Sequence, residues 1–198
     1  MRLFVGLDLE FEVRMRVASF IGEVRELAPD AAWVLPESLH ITLKFIGERT
    51  SGQLKAITER LSAIDVTRFS IQLDGHGYFP TARAPRVFWI GVQASPRLAD
   101  LAGRIECAMV ELGISPEVRP FNPHLTLARA NKRGLLARGE GKRRKPQFKT
   151  LEEKLARLVE LDFGTVTISE FILYRSELSP LGSKYTRLHR FGAKIASG

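Results

Sequence analysis

A tetrapeptide pattern that occurs twice, His40-Ile-Thr-Leu and His124-Leu-Thr-Leu, constrains this chain more than any other feature. Neighbouring side chains of a β-strand point to opposite faces, so each histidine shares a face with the threonine two places later. The aliphatic residues of each copy share the other face. Each copy therefore predicts a strand with one face on a core and the other lining a polar surface. The spacing of 84 residues between the copies favours a duplicated, two-lobed architecture.

The periodicity of the rest of the chain predicts interleaved helices and strands. Apolar residues at helical spacing predict helices over 12–27, from 51 or 52 to 64 with Ser51 as N-cap, after Ser95-Pro96, and over 151–161. Strand patterns occur at 3–9, 32–35, 39–46, 69–73, 87–92, 125–128, 165–168, 171–174 and 185–191. Several connections are too short for a parallel crossover, which favours an α+β fold with mainly antiparallel sheets.

The expected arrangement is two pseudo-symmetric lobes, each a mainly antiparallel sheet with helices on its outer face. No low-complexity linker separates the halves, so residues 1–198 are expected to form a single two-lobed domain. The candidate active site then lies in the cleft between the lobes.

Positive charge is concentrated in one segment. The chain carries 30 Lys and Arg against 22 Asp and Glu, and 132–149 alone holds eight basic residues and one acid. Such a cluster attracts polyanions, which makes Arg143, Arg144 and Lys145 candidate RNA contacts. A solvated loop without a partner is the alternative, which the glycines and the proline of this segment also support.

Several classes of protein are disfavoured by the sequence. The chain has no run of 18 apolar residues and no signal-peptide pattern, so a cytoplasmic location without membrane contact is expected. Cys107 is the only cysteine, which excludes an intramolecular disulfide, and its helical position predicts a buried thiol. Glu37 and Glu48 form no carboxylate cluster near the motifs, so neither a metal nor a cofactor is expected.

Four segments resemble one known family over nearly the whole length of the chain. They begin Arg2-Leu-Phe-Val-Gly-Leu-Asp, Trp33-Val-Leu-Pro-Glu-Ser-Leu-His, Arg119-Pro-Phe-Asn-Pro-His and Leu173-Tyr-Arg-Ser-Glu-Leu. The chain resembles the two-histidine phosphoesterase superfamily, specifically the RNA 2′,3′-cyclic phosphodiesterases formerly called 2′-5′ RNA ligases. The resemblance implies two lobes that hold the paired motifs across a cleft.

The resemblance also implies roles for the motif residues in opening a 2′,3′-cyclic phosphate to a 2′-phosphomonoester without a metal. His40 would be the proton donor to the 3′ oxygen, and His124 would accept the proton of water. Histidine suits both roles because its ordinary pKa of about 6.5 is close to neutrality. Thr42 and Thr126 would donate hydrogen bonds to phosphate oxygens.

Other candidates near the motifs are less constrained. Arg129 matches the family as a phosphate ligand, but it has the wrong strand parity unless a bulge or the strand end intervenes. Phe121 and Tyr185 are candidate contacts to a base or to RNA, and the parity of Phe45 predicts a core position. Two other histidines, His76 and His189, have no matching threonine and are expected to be structural or surface residues.

Two other functions remain open at this point. One is a nucleotide- or RNA-binding module of the same fold without turnover, and the other is a phosphodiesterase of small cyclic or 2′-5′-linked nucleotides. Reversible 2′-5′ joining of RNA ends is an expected side activity of the leading hypothesis. The expected partners are RNA with 2′,3′-cyclic phosphate ends or small nucleotides, and the protein is expected to be a monomer without an obligate protein partner.

Overall fold

The structure is a computed structural model that describes residues 1–93, 95–131, 148–157, 161–179 and 182–192. The basic residues Arg143, Arg144 and Lys145 lie outside these ranges. The strands are β1 Arg2–Leu7, β2 Ala32–Trp33, β3 Ile41–Glu48, β4 Phe69–Phe79, β5 Val87–Val92, β6 His124–Arg129, β7 Asp162–Ile168, β8 Glu170–Ser179 and β9 Gly182–Gly192. The helices are α1 Phe11–Val24, α2 Ser51–Ser62, α3 Pro96–Val110 and α4 Lys149–Leu155, with short 3₁₀ turns at Arg25–Leu27 and Pro36–Ser38.

One antiparallel sheet joins both halves of the chain. Its strand order is β7-β4-β5-β6-β3-β1-β8-β9, and β2 pairs with β6. Every pair is antiparallel, which confirms the α+β class. The two halves meet where β3 pairs with β6, at the register pair Ile41 and Leu125. The duplication predicted from the motifs therefore becomes two four-stranded halves with the motif strands side by side at their junction.

Within the residues that the structure describes, the helices cover one face of this sheet. That face carries Ile41 and Leu125, both fully buried, and α1 contributes an apolar stripe of five buried residues to the same core. Helix α1 follows β1 but packs against β7 of the other half, and α3 follows β5 but packs against β3 of the other half. The opposite face, called the site face below, carries the histidines and threonines of both motifs, all half-buried.

Three local predictions need correction. Thr50, not Ser51, is the N-cap of α2, because its Oγ1 accepts from the Gln53 N–H while the Gln53 side chain accepts from the Thr50 N–H. Helix α4 begins at Lys149 and ends at Leu155, earlier than the sequence pattern suggested. Cys107 is exposed rather than buried, because it lies on the solvent side of α3.

A buried ion pair links β3 to the segment that leads into β6. Lys44 is 3% exposed, and its ammonium donates to Glu106 Oε1 at 2.9 Å and to the Ser115 carbonyl at 2.9 Å. Glu106 Oε1 also accepts from the Glu117 N–H at 2.7 Å. The pair therefore connects β3, α3 and the chain preceding the second motif. Among the described residues, no helix has the length and apolar character needed to span a membrane.

Candidate active site

The junction of the two half-sheets brings the motifs together. His124 is the first residue of β6, whereas His40 directly precedes β3 rather than lying within it. Because Ile41 pairs with Leu125 in antiparallel register, His40 lies beside Thr126 and Thr42 beside His124. The two imidazoles are close enough for the charge of His124 to affect the pKa of His40. Two imidazoles and two hydroxyls able to donate or accept hydrogen bonds thus share one small area of the site face.

Both imidazoles are held in the same way. Nδ1 of His40 lies 2.7 Å from the Ser38 carbonyl oxygen, and Nδ1 of His124 lies 2.8 Å from the Asn122 carbonyl oxygen. A carbonyl oxygen can only accept, so Nδ1 carries the hydrogen in each ring. Nε2 is therefore the nitrogen left to give or take a proton in each case.

Burial dominates the electrostatics of the pair. The pKa of His40 is lowered to about 4, mainly by burial and also by the positive charges of Arg129 and His124, against the Ser38 hydrogen bond and the carboxylate of Asp8. The pKa of His124 is lowered by burial and by Arg129, against its own backbone hydrogen bond. Both rings are therefore neutral at pH 7 when no ligand is bound.

Aromatic rings supply much of this burial. Around His40, ring centroids of Phe4, Tyr185 and Tyr174 lie at 4.7, 4.8 and 5.8 Å. Around His124, those of Phe79 and Trp89 lie at 4.9 and 6.2 Å. Tyr185, which the sequence suggested only by resemblance, thus contacts the first motif. Sequence reasoning missed the other rings, since only the strand pairing of β1, β4, β5 and β8 with their neighbours identifies them.

A β-bulge follows the threonine of each motif, at the leucine that ends the tetrapeptide. Leu43 has no partner in β1, because Val5 pairs with Lys44 and Gly6 with Thr42. Leu127 likewise has no partner in β5, because Phe88 pairs with Ala128 and Trp89 with Thr126. Each bulge adds one residue to the alternation and reverses the parity of the residues after it.

The bulges place the residue five positions after each histidine on the site face. In the second motif this residue is Arg129, whose charge reaches both imidazoles, so the bulge that its candidate role requires is present. In the first motif it is Phe45, which is 53% exposed. The prediction of a core position for Phe45 was wrong, because regular alternation past Leu43 was assumed.

The remaining candidates lie as follows. Phe121 is 36% exposed in the segment that leads into β6. His76 is half-buried on the core side of β4, with ring contacts to Tyr78 and Phe88, and burial lowers its pKa. His189 is exposed on β9. Within the described ranges, no group of three or more His, Cys, Asp or Glu side chains is placed to hold a metal ion.

Gly6 gives the first motif the space it needs. A Cβ at this position would lie 2.8 Å from the Ile41 carbonyl oxygen and 3.6 Å from Cδ2 of His40. We expect Gly6→Ala to lower the free energy of unfolding by about 1–3 kcal/mol and to reduce turnover, since β3 must shift away. Gly103→Ala is the matched control, because nothing lies within 4 Å of its Cβ and helix α3 should gain about 0.5–1 kcal/mol. Urea unfolding of both variants tests this, and equal stability changes would contradict it.

Comparisons with known proteins identify the family of this chain. The family model described as 2′-5′ RNA ligase superfamily matches residues 13–177, and the chain belongs to this family. A protein named RNA 2′,3′-cyclic phosphodiesterase from Archaeoglobus fulgidus is 34% identical over 96% of this chain and 99% of its own. One of the same name from Methanothermobacter thermautotrophicus is 32% identical over 96% and 97%. The chain is an enzyme of the type that these relatives represent.

Solved structures show the same fold. The protein TT0787 of Thermus thermophilus superposes with a TM-score of 0.76 at 30% identity, covering 99% of this chain and 100% of that one. E. coli LigT complexed with 3′-AMP superposes with a TM-score of 0.73 at 27% identity, covering 98% of both chains. The α+β fold and the superfamily expected from the sequence are therefore confirmed.

Proposed function

We propose that this protein hydrolyses 2′,3′-cyclic phosphate ends of RNA to 2′-phosphomonoesters. The observation that carries the proposal is the pair of equally oriented imidazoles beside two threonine hydroxyls on one exposed sheet face. The names of the relatives support the substrate class. E. coli LigT, which has the same fold, has been solved in complex with 3′-AMP, and this supports a nucleotide phosphate as the class of ligand.

In the proposed reaction, Nε2 of His124 takes a proton from water as the water oxygen attacks phosphorus. The bond between phosphorus and the 3′ oxygen breaks, and Nε2 of His40 gives its proton to that oxygen. The phosphate stays on the 2′ oxygen. Thr42 and Thr126 donate hydroxyl hydrogen bonds to the non-bridging oxygens, and the guanidinium of Arg129 offsets the negative charge that accumulates there.

A bound phosphate is needed for uptake of the proton that the donor gives. Burial and the charge of Arg129 lower the pKa of both rings, and Asp8 is the carboxylate that raises the pKa of His40 against them. The assignment of His40 as proton donor therefore follows the family resemblance and not these shifts. An anionic phosphate bound between the rings raises the pKa of both and favours uptake of the one proton that the acid needs.

Aromatic side chains beside the motifs supply candidate contacts to the nucleobase. Phe45 is exposed on the site face near Phe4, with 6.3 Å between ring centroids, and Tyr185 lies edge-on to His40. Stacking on such rings stabilises unpaired bases with little sequence preference. Phe121 is a further candidate from the segment that precedes His124. With a 5′ hydroxyl in place of water, the same two proton transfers would open the cyclic phosphate and form a 2′-5′ linkage, and their reversal would cleave that linkage; this is the proposed reversible 2′-5′ ligase activity.

The proposal predicts an acidic pH optimum for the free enzyme. Burial keeps the pKa of both imidazoles below 6.5, with that of His40 at about 4. The reaction requires one ring protonated and one neutral, so kcat/KM falls at low pH when both are protonated and at high pH when both are neutral. We expect kcat/KM for a cyclic mononucleotide to be maximal between the two pKa values and to fall through neutrality. A maximum above about pH 7 would contradict the lowered pKa values.

The direct test is incubation with an oligonucleotide that ends in a 2′,3′-cyclic phosphate, followed by identification of the product. The expected product carries a 2′-phosphate, and its formation should be unaffected by EDTA. Release of a 3′-phosphate would contradict the assignment of the leaving oxygen. Binding without any turnover would instead support the alternative of an RNA-binding module.

A further inference from the structure

The loop that presents His40 is held by an arginine outside both motifs. The 3₁₀ turn Pro36–Ser38 precedes His40, and the Ser38 carbonyl accepts the hydrogen bond that fixes the ring. Arg14 lies on α1, and its side chain is 13% exposed. Nη1 of Arg14 donates to the Pro36 carbonyl and, at 3.2 Å, to the Leu39 carbonyl. These two carbonyls lie on either side of Ser38 in the sequence.

Arg14 is itself fixed by a carboxylate. Its Nη2 donates to Asp8 Oδ1, which also accepts from the Leu9 N–H at 3.0 Å. Asp8 Oδ2 accepts from Nε of Arg187 at 2.9 Å, and Nη2 of Arg187 lies 2.7 Å from the same oxygen. Asp8 thus connects the end of β1, helix α1 and strand β9. A guanidinium has donors in a rigid planar fork, so this network fixes its orientation in a way that a lysine could not.

We propose that Arg14, anchored by Asp8, is a positioning residue that sets the orientation and tautomer of the His40 imidazole. Only the kinetic effect expected of this positioning role rests on the proposed function. Without Arg14, the carbonyls of Pro36 and Leu39 lose their shared donor, and the turn that carries the Ser38 carbonyl is no longer held. The His40 ring can then rotate or exchange its Nδ1 hydrogen for one on Nε2, which misaligns the proton donor.

Nuclear magnetic resonance of the ring nitrogens tests this without any reference to activity. In the wild type, His40 and His124 should both show the signature of the Nδ1–H tautomer. Arg14→Gln should shift the His40 signals toward a mixture of tautomers and leave those of His124 unchanged. Asp8→Asn, which retains Arg14 but weakens its anchor, should move the same His40 signals in the same direction.

Arg16→Gln is the matched control. Arg16 lies on the same helix and also donates to a backbone carbonyl, that of Phe163 at 3.1 Å, but on β7, away from the first motif. Its substitution removes a comparable contact and should not change the His40 signals. Unchanged His40 signals in both Arg14→Gln and Asp8→Asn would overturn the proposal, as would an equal change in Arg16→Gln.

Kinetics provide the second readout. With a 2′,3′-cyclic nucleotide, Arg14→Gln should lower kcat by about 10- to 100-fold with a smaller change in KM, since the ring is misplaced rather than the substrate lost. Arg16→Gln should keep kcat within about twofold of the wild type. A wild type without hydrolysis would refute the proposed function, whereas a wild-type kcat in Arg14→Gln would refute the positioning role alone.

Discussion

Replacing His40 with alanine is expected to lower kcat for a 2′,3′-cyclic phosphate by about 10²–10⁴-fold, while turnover of a p-nitrophenyl phosphodiester falls far less. The reason lies in the leaving group. A ribose 3′ alkoxide must be protonated as it departs, whereas p-nitrophenolate is stable enough to leave without a proton. Loss of the proton donor therefore slows mainly the substrate with the poor leaving group.

His124→Ala provides the matched contrast, because the second imidazole is held by the same type of hydrogen bond on the neighbouring strand. As the proposed base, it activates water for both substrates, so both rates should fall by about 10²–10⁴-fold. Initial rates of each variant on each substrate give the four values needed. If turnover of the aryl ester were instead retained in His124→Ala and lost in His40→Ala, the roles of acid and base would have to be exchanged. Equal sparing in both variants would contradict acid–base catalysis by this pair.

Replacing Glu106 with alanine is expected to cost about 3–5 kcal/mol of unfolding free energy, because it leaves a buried ammonium on Lys44 without its counter-charge. The side chain of Lys44 is 2% exposed, and Glu106 lies 2.8 Å away through its second carboxylate oxygen. Of the two hydrogen-bond acceptors identified for the Lys44 ammonium, this variant keeps only the Ser115 carbonyl. Urea unfolding followed by circular dichroism measures the change.

An exposed ion pair on the same helix supplies the control. Asp100 and Arg104 are paired at 2.9 Å on α3, with side chains 64% and 42% exposed, so Asp100→Ala should cost less than about 1 kcal/mol. The double variant Lys44→Met with Glu106→Leu should recover much of the stability lost in Glu106→Ala, since no unpaired charge remains. A loss in Glu106→Ala no larger than in Asp100→Ala would show that Lys44 is solvated in solution.

Much of the architecture follows from patterns that are local in sequence. The helical stripe of α1 and the Ser95-Pro96 start of α3 predicted those helices, because core packing and capping act over a few residues. The start of α2 at Ser51 was expected, but its N-cap was misassigned, because that depends on the reciprocal hydrogen bonds between Thr50 and Gln53. The exposure of Cys107 depends on which side of α3 faces the sheet, a property set by long-range packing.

The candidate site was predictable to the extent that strand parity holds. His40, Thr42, His124 and Thr126 were expected on shared faces, and the structure places them so. Parity failed for Phe45, because nothing in Leu43-Lys44 signals a bulge, which is defined by its pairing with β1. The contacts of Asp8 and Arg14 that hold the His40 loop could not be predicted from the sequence either, since these residues become neighbours of Pro36 and Leu39 only after folding.

The equivalent bulges have a consequence for the direction in which a ligand binds. They give the duplicated halves the same backbone path but present unlike side chains, a flat apolar ring at Phe45 and a cation at Arg129. A nucleotide also has two unlike ends, a planar base at one end and an anionic phosphate at the other. A backbone with near-twofold symmetry would allow the nucleotide to bind in either of two opposite orientations. The ring at Phe45 and the cation at Arg129 favour the orientation that places the base near the ring and the phosphate near the cation. In the proposed mechanism, this difference would help to distinguish the imidazole that meets the water from the one that meets the departing oxygen.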